Sequence, residues 1–244
     1  MLVSHIGWTV PGPWSHLDWG RYLTPKELEH IHLSGHEEKR LRKKAVRLVA
    51  KTLLLNEQKE DNPIRISDCG LDRFSVGDYQ QLEILPANSS KAYLAIYQND
   101  MAIGGQLSFT HGEKISIACL SHHPVGVDIE TAIMRQSAFY QQNFTNYERE
   151  WVYSNLNQHN DEDRLFTFLW TLKESLIKSG CTRHKSAWYI PEFSITTLPP
   201  FSHFTGTADT HYTIHDGAAY FKASARYYLM EEQVFTVSTF SPQD

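Results

Sequence analysis

The sequence predicts an α+β protein in two halves, and three observations carry that expectation. A Thr-Pro-Lys-Glu helix start at Thr24 leads to a long amphipathic segment from about Glu37 to Leu55. Apolar and polar residues alternate from Ile115 to Glu130, and alternation returns from Phe193 after a helical stretch over 137–179. Sheet and helix regions thus alternate along the chain, with the halves meeting near residues 120–125.

At the first helix, Thr24 supplies an N-cap oxygen, Pro25 fills a position whose amide has no partner to lose, and Glu27 is an acid in the first turn. In the second, Leu41, Ala45, Leu48, Thr52 and Leu55 recur at spacings of three and four and stack along one face. Asp61-Asn62-Pro63 ends that region, and residues 64–105 read as short strands and loops broken by Gly, Asn, Ser and Pro. Ile115, Ile117 and Cys119 mark a half-buried strand. Ser121-His122-His123-Pro124 reads as a turn, and Val125, Val127 and Ile129 mark a second strand, expected to pair with the first. Later strands are expected at Tyr212 and Ile214, at Tyr220 to Tyr228, and at Val234 to Phe240. No internal repeat is visible in the sequence.

The 244 residues suffice for one large domain or two small ones, and 41% hydrophobic with 21% charged residues is ordinary for a globular protein. A net charge of -5 argues against a general nucleic-acid binder, which needs a surplus of cations. Cys69, Cys119 and Cys181 are odd in number and widely spaced, so neither a disulfide framework nor a structural zinc site is expected. Residues Met1 to Trp14 lack a signal-peptide pattern and no stretch approaches a membrane span, so a cytoplasmic protein is the expectation.

Two elements carry candidate chemistry. In Val125-Gly126-Val127-Asp128-Ile129-Glu130 the strand period puts three apolar side chains on one face and two acids on the other. Neighbouring carboxylates repel, and a hard divalent cation such as magnesium relieves the repulsion; a solvated sheet face gives the same pattern. In the helix from Leu165 to Lys178, Lys173 falls inside a wide apolar arc and must reach outward or find an anion. Glu174 and Lys178 stand one turn apart at the edge of that arc, the spacing of an ordinary surface pair. A basic run, Lys39, Arg40, Arg42, Lys43, Lys44, Arg47 and Lys51, has Arg40, Lys44, Arg47 and Lys51 on one helix face. A solvated face is the common fate of such a run. His32 and His36 share a helical spacing without an HExxH frame, and Gly104-Gly105 is not a dinucleotide fingerprint.

Taken together, Gly126-Val127-Asp128-Ile129-Glu130 and, about forty residues on, Trp170-Thr171-Leu172-Lys173-Glu174-Ser175-Leu176-Ile177-Lys178 resemble the paired motifs G-(I/V)-D-(I/V)-E and W-x-x-K-E-x-x-x-K of the Sfp-type 4'-phosphopantetheinyl transferases. Leu107-Ser108-Phe109-Thr110-His111 resembles that family's F-N-(I/L)-S-H element, and Phe144-Thr145-Asn146-Tyr147-Glu148 its F-(S/T)-x-x-E. Ser90-Lys91-Ala92-Tyr93-Leu94 keeps the lysine and the last apolar residue of G-K-P-x-(I/L). Leu23-Thr24-Pro25 and Arg47 to Leu54 resemble its first two helices. Gly112 replaces a common serine, and Gly180-Cys181-Thr182 half matches the usual G-x-G. The resemblance spans about residues 20–190 and is strongest over 107–178.

The resemblance implies a pseudo-dimer of two similar α/β halves, 1–123 on the coenzyme A 3'-phosphate side and 124–244 carrying the acids and the catalytic helix. It implies that Asp128, Glu130 and Glu174 hold magnesium, and that Glu174, Lys178 and Asp128 are catalytic. Coenzyme A, the co-substrate, is expected at His30, Arg47, Lys91, Thr110, His111 and Lys178, with Lys51 as a further candidate. The implied partner is an apo acyl or peptidyl carrier protein, with neither nucleic acid nor membrane, and the chain is expected to be a monomer. Two other readings share these residues: another magnesium-dependent enzyme that cleaves phosphodiesters, and a non-catalytic module that binds coenzyme A or carrier proteins.

Overall fold

In the computed structural model the chain divides into two units, Met1–His122 and His123–Asp244. The structure describes residues 4–240 apart from 34, 57–63, 67–70, 72, 88–89, 157–160, 181–193, 198–206, 216–219 and 231. Cys69, Cys181, Thr182 and the Asp61-Asn62-Pro63 stop lie outside the described residues.

In the first unit, strands β1 (Ser4–Thr9), β2 (Ile64–Arg65), β6 (Gln106–His111) and β7 (Ser116–Ser121) form a sheet in the order β2-β1-β7-β6. Only the β1–β2 pairing is parallel. A smaller antiparallel sheet holds β3 (Leu82–Ala87), β4 (Ser90–Gln98) and β5 (Met101–Ile103). Helix α1 (Pro25–His32) begins at Thr24 with a capping box closed by Glu27. Helix α2 occupies the span expected from the sequence, Glu37–Leu55, and packs across β7 and β1. Its charged first turns stay near water, whereas every residue from Ala45 to Leu53 is buried. A further short helix, α3 (Val76–Gln80), carries the buried Tyr79.

In the second unit, β8 (Val125–Thr131), β9 (Ser194–Thr197), β10 (Thr207–His215), β11 (Tyr220–Met230) and β12 (Gln233–Phe240) form one antiparallel sheet, ordered β8-β12-β11-β10-β9. Helices α4 (Ser137–Asn143), α5 (Asn146–Ser154) and α6 (Glu162–Lys178) precede β9. Helix α6 lies along β8 and β12. Small hydroxyls line that contact: Thr171 meets Thr236 at 2.9 Å and Ser175 meets Ser238 at 2.5 Å. Among the described residues no helix is long and apolar enough to cross a membrane.

Two strand expectations are corrected. β8 pairs with β12, not with β7, and β7 sits between β1 and β6. The Ser121–Pro124 segment therefore leads from one sheet into another rather than closing a hairpin. Nor is β7 half-buried: five of its six residues are buried, including Ser116 and Ser121. Local alternation reports a strand's period but not which distant strand claims its edge.

Lys173 found its anion. Both it and Glu148 are fully buried, with Nζ 2.7 Å from Oε2 and 2.9 Å from the Asn143 carbonyl. The ammonium also lies 5.1 Å from the centre of the Phe144 ring. Glu148 closes the capping box of α5 through the Thr145 amide and accepts the Ile195 amide of β9. Removing one partner strands the other charge. Lys173→Met should therefore cost about 3 to 5 kcal/mol in urea unfolding, and adding Glu148→Gln should recover much of it. A double variant no more stable than the single would contradict this account of the pair.

Candidate active site

Gly126 decides where the site forms. A Cβ built on it would stand 1.8 Å from the Ser175 carbonyl oxygen and 2.6 Å from the Ser179 amide nitrogen. The last turns of α6 thus lie against the β8 backbone with no room for a side chain. Gly126, Asp128 and Glu130 share a strand face by period, so the acid face turns toward the helix rather than toward water. Asp128 is 5% exposed, which corrects the alternative of a solvated sheet face. On α6, Glu174 and Lys178 are half-buried and flank the Ser175 contact one turn apart.

Lys178 does not form the expected one-turn pair. Its Nζ stands 2.5 Å from Asp128 Oδ1. Glu130 meets Arg135 at 3.3 Å, and that guanidinium lies 4.8 Å from the centre of the Phe139 ring. Burial pushes the Glu130 carboxyl above the usual carboxylate range, and the charges of Asp128 and Glu174 push the same way. Arg135 and Lys178 oppose them. All three acids therefore act on one locus. Among the described residues no group of three or more His, Cys, Asp or Glu side chains is drawn close enough to hold a metal ion. Two cations sit among the acids instead, Lys178 on Asp128 and Arg135 on Glu130. As donors, hard carboxylate oxygens, with the proton affinity of Glu130 raised by its neighbours, fit a divalent cation such as magnesium.

A partly open depression of about 170 Å³ lies in the same unit, lined by Ile133, Arg135, Phe139, Tyr140, Phe166, Thr167 and Trp170. Arg135 links it to Glu130. The sequence reading missed this arginine, because no motif spacing marks it; its position five residues past Glu130 was the one available hint.

In the first unit the structure joins two of the expected ligands. Arg47 is 3% exposed, and its NH2 group lies 3.3 Å from His30 Nδ1. Its Nε donates to the Ile84 carbonyl and NH1 to the Lys43 carbonyl, both at 3.2 Å. Burial lowers the Arg47 pKa, with Glu27 acting against it. The Lys43 pKa is lowered by burial, then by the charges of Lys39 and Arg47, which repel its ammonium along α2. The rest of the basic run is engaged differently. Arg40 and Lys44 pair with Glu37 at 3.6 and 3.8 Å, and Arg42 pairs with Glu38. Lys51 is fully buried on Glu27 and does not face a ligand, which removes it from the expected pocket. Thr110 is buried and His111 exposed, neighbours on β6, which α2 also touches. Lys91 falls within β4, but its side chain lies outside the described residues.

Residues 124–234 match the family model described as ACPS, the 4'-phosphopantetheinyl transferase superfamily. That segment holds Asp128, Glu130, Glu174 and Lys178. No curated protein matches the chain.

Proposed function

We propose that the chain, whose residues 124–234 match the model of the 4'-phosphopantetheinyl transferase superfamily, is an Sfp-type enzyme of that activity. It moves the phosphopantetheine arm of coenzyme A onto a serine of an apo acyl or peptidyl carrier protein. The observation that carries this reading is the convergence of Asp128, Glu130, Glu174 and Lys178 where α6 meets β8 at Gly126.

The serine oxygen attacks the β-phosphorus, the bond to the bridging oxygen breaks, and 3',5'-ADP leaves with the electron pair. Glu174 takes the serine proton, directly or through one water. Lys178 supplies a positive charge to the pyrophosphate as a point donor. Asp128, Glu130 and Glu174 would hold magnesium, whose charge offsets that building on the phosphate oxygens. Arg47 with His30, together with Thr110, His111 and Lys91, would bind the 3'-phosphate. We take the enzyme to be monomeric and cytoplasmic, with its two units as the halves of a pseudo-dimer.

Glu130 links this reading to pH. Burial and the neighbouring acids raise its folded-state pKa above the ordinary carboxylate value, so the protonated form favours folding. That stabilisation is complete below the unfolded-state value and is lost as pH rises through the folded one. Magnesium should therefore raise the Tm at neutral pH and have little effect near pH 4. Glu130→Gln should flatten the pH dependence of Tm without metal; an unchanged profile in that variant would contradict the assignment.

Release of 3',5'-ADP separates the three readings. A transferase releases it only when apo carrier protein is present. A phosphodiester-cleaving enzyme releases it from coenzyme A alone, and a binding module releases none.

A further inference from the structure

The two units contain the same buried network. In the second, Thr145 caps α5, Glu148 holds the Thr145 and Ile195 amides, and Lys173 joins Glu148 to the Asn143 carbonyl. In the first, Thr24 caps α1, and Glu27 holds the Thr24 amide at 2.9 Å and the Ile84 amide at 3.0 Å. Lys51 joins Glu27, at 2.6 Å, to the Tyr22 carbonyl at 3.0 Å. Asn143 and Tyr22 both stand two residues before their cap. Each lysine comes from the long helix of its unit, and each glutamate is fully buried.

The second network anchors the helix turn that presents Glu174, the residue after Lys173. The first anchors a different group. Arg47 is one turn before Lys51 on α2, and its Nε donates to the carbonyl of Ile84, the residue whose amide Glu27 holds. On a strand the N–H and C=O of one residue point to the same side, so Glu27 and Arg47 hold the same edge of β3. Glu27 also favours the charged guanidinium through space. His30, which meets NH2 of Arg47, lies on the helix that the Thr24–Glu27 box begins.

We propose that Lys51 and Glu27 are positioning residues for Arg47, fixing the β3 edge and the α2 register that aim its guanidinium at the donor's 3'-phosphate. This rests on the reading of Arg47 as a ligand of that phosphate. Neither Lys51 nor Glu27 touches the ligand, so their loss should alter donor affinity and leave the chemical step alone.

The test compares coenzyme A with dephospho-coenzyme A, which lacks the 3'-phosphate. The double variant Glu27→Gln/Lys51→Met removes both charges of the buried pair and keeps one oxygen for the two backbone amides, which Glu27 holds through separate oxygens. Its KM for coenzyme A should rise about tenfold, the scale of one weakened charge-assisted hydrogen bond, with kcat and the KM for dephospho-coenzyme A unchanged. A purely structural role would lower Tm and shift both donors alike, and that result overturns the proposal. Arg47→Ala, run beside it, tests the underlying reading. If Arg47→Ala does not discriminate between the donors, the ligand assignment fails. If Arg47→Ala discriminates and the double variant does not, only the positioning role fails. The wild type gives a measurement independent of folding in the variant: coenzyme A should slow hydrogen exchange at the Ile84 amide about tenfold, and dephospho-coenzyme A should not. Equal slowing by both donors, or by neither, contradicts the proposal.

Discussion

Asp128→Ala and Glu174→Ala should each lower transfer by roughly a thousandfold or more, the scale of losing a main source of charge stabilisation at a reacting phosphate. The fold should survive both changes. Asp128 is buried, but its negative charge raises the proton affinity of Glu130, so its removal relieves a repulsion as well as releasing Lys178. Lys178 is one third exposed and can turn to water. Far-ultraviolet circular dichroism and Tm should therefore stay near the wild type while product formation disappears. Full activity in either variant at ordinary magnesium would remove that residue from the machinery, and an unfolded variant would show that its role is structural.

The second large effect is expected from the smallest change, Gly126→Ala. The added methyl would meet the Ser175 carbonyl oxygen at 1.8 Å and its carbon at 2.8 Å, and these are backbone atoms that no rotamer change moves. Helix α6 must then lift from β8, which separates Glu174 and Lys178 from Asp128 and Glu130. A displacement of about 1 Å at a reacting group costs on the order of a hundredfold in rate, so kcat/KM should fall at least that far. Overpacking should also lower stability by about 1 to 3 kcal/mol. Gly7 on β1 provides the comparison. A Cβ there meets side-chain atoms of Val49 at 2.9 Å and Leu53 at 3.1 Å, which can adjust. Gly7→Ala should be the milder change in both assays, and the reverse order would contradict the packing argument.

The site was legible in the sequence to the extent that its causes are local. The alternation from Val125 to Glu130 gave the strand and its acid face, and Lys173 inside an apolar arc required an anion. Neither pattern named a partner. That Asp128 would take Lys178, or Lys173 take Glu148 from a helix 25 positions earlier, depends on packing between elements. The charges on α2 misled for the same reason. A helix wheel groups Lys51 with Arg40, Lys44 and Arg47, but α1 and Tyr79 cover Lys51, and its ammonium is satisfied inside the core. The repeat of Thr24, Glu27 and Lys51 in Thr145, Glu148 and Lys173 escaped notice because three shared residues spread over about thirty positions leave little sequence signal. The pairing of β8 with β12 escaped for a related reason: the two strands lie about a hundred residues apart.

The most direct measurement of the central claim is the intact mass of an apo carrier protein after incubation with this protein, coenzyme A and magnesium. The account predicts a gain of one phosphopantetheine, mapped to a single serine and absent when a chelator replaces magnesium or when that serine is alanine. Unchanged mass across apo acyl and peptidyl carrier proteins, with the protein folded and coenzyme A bound, would contradict it.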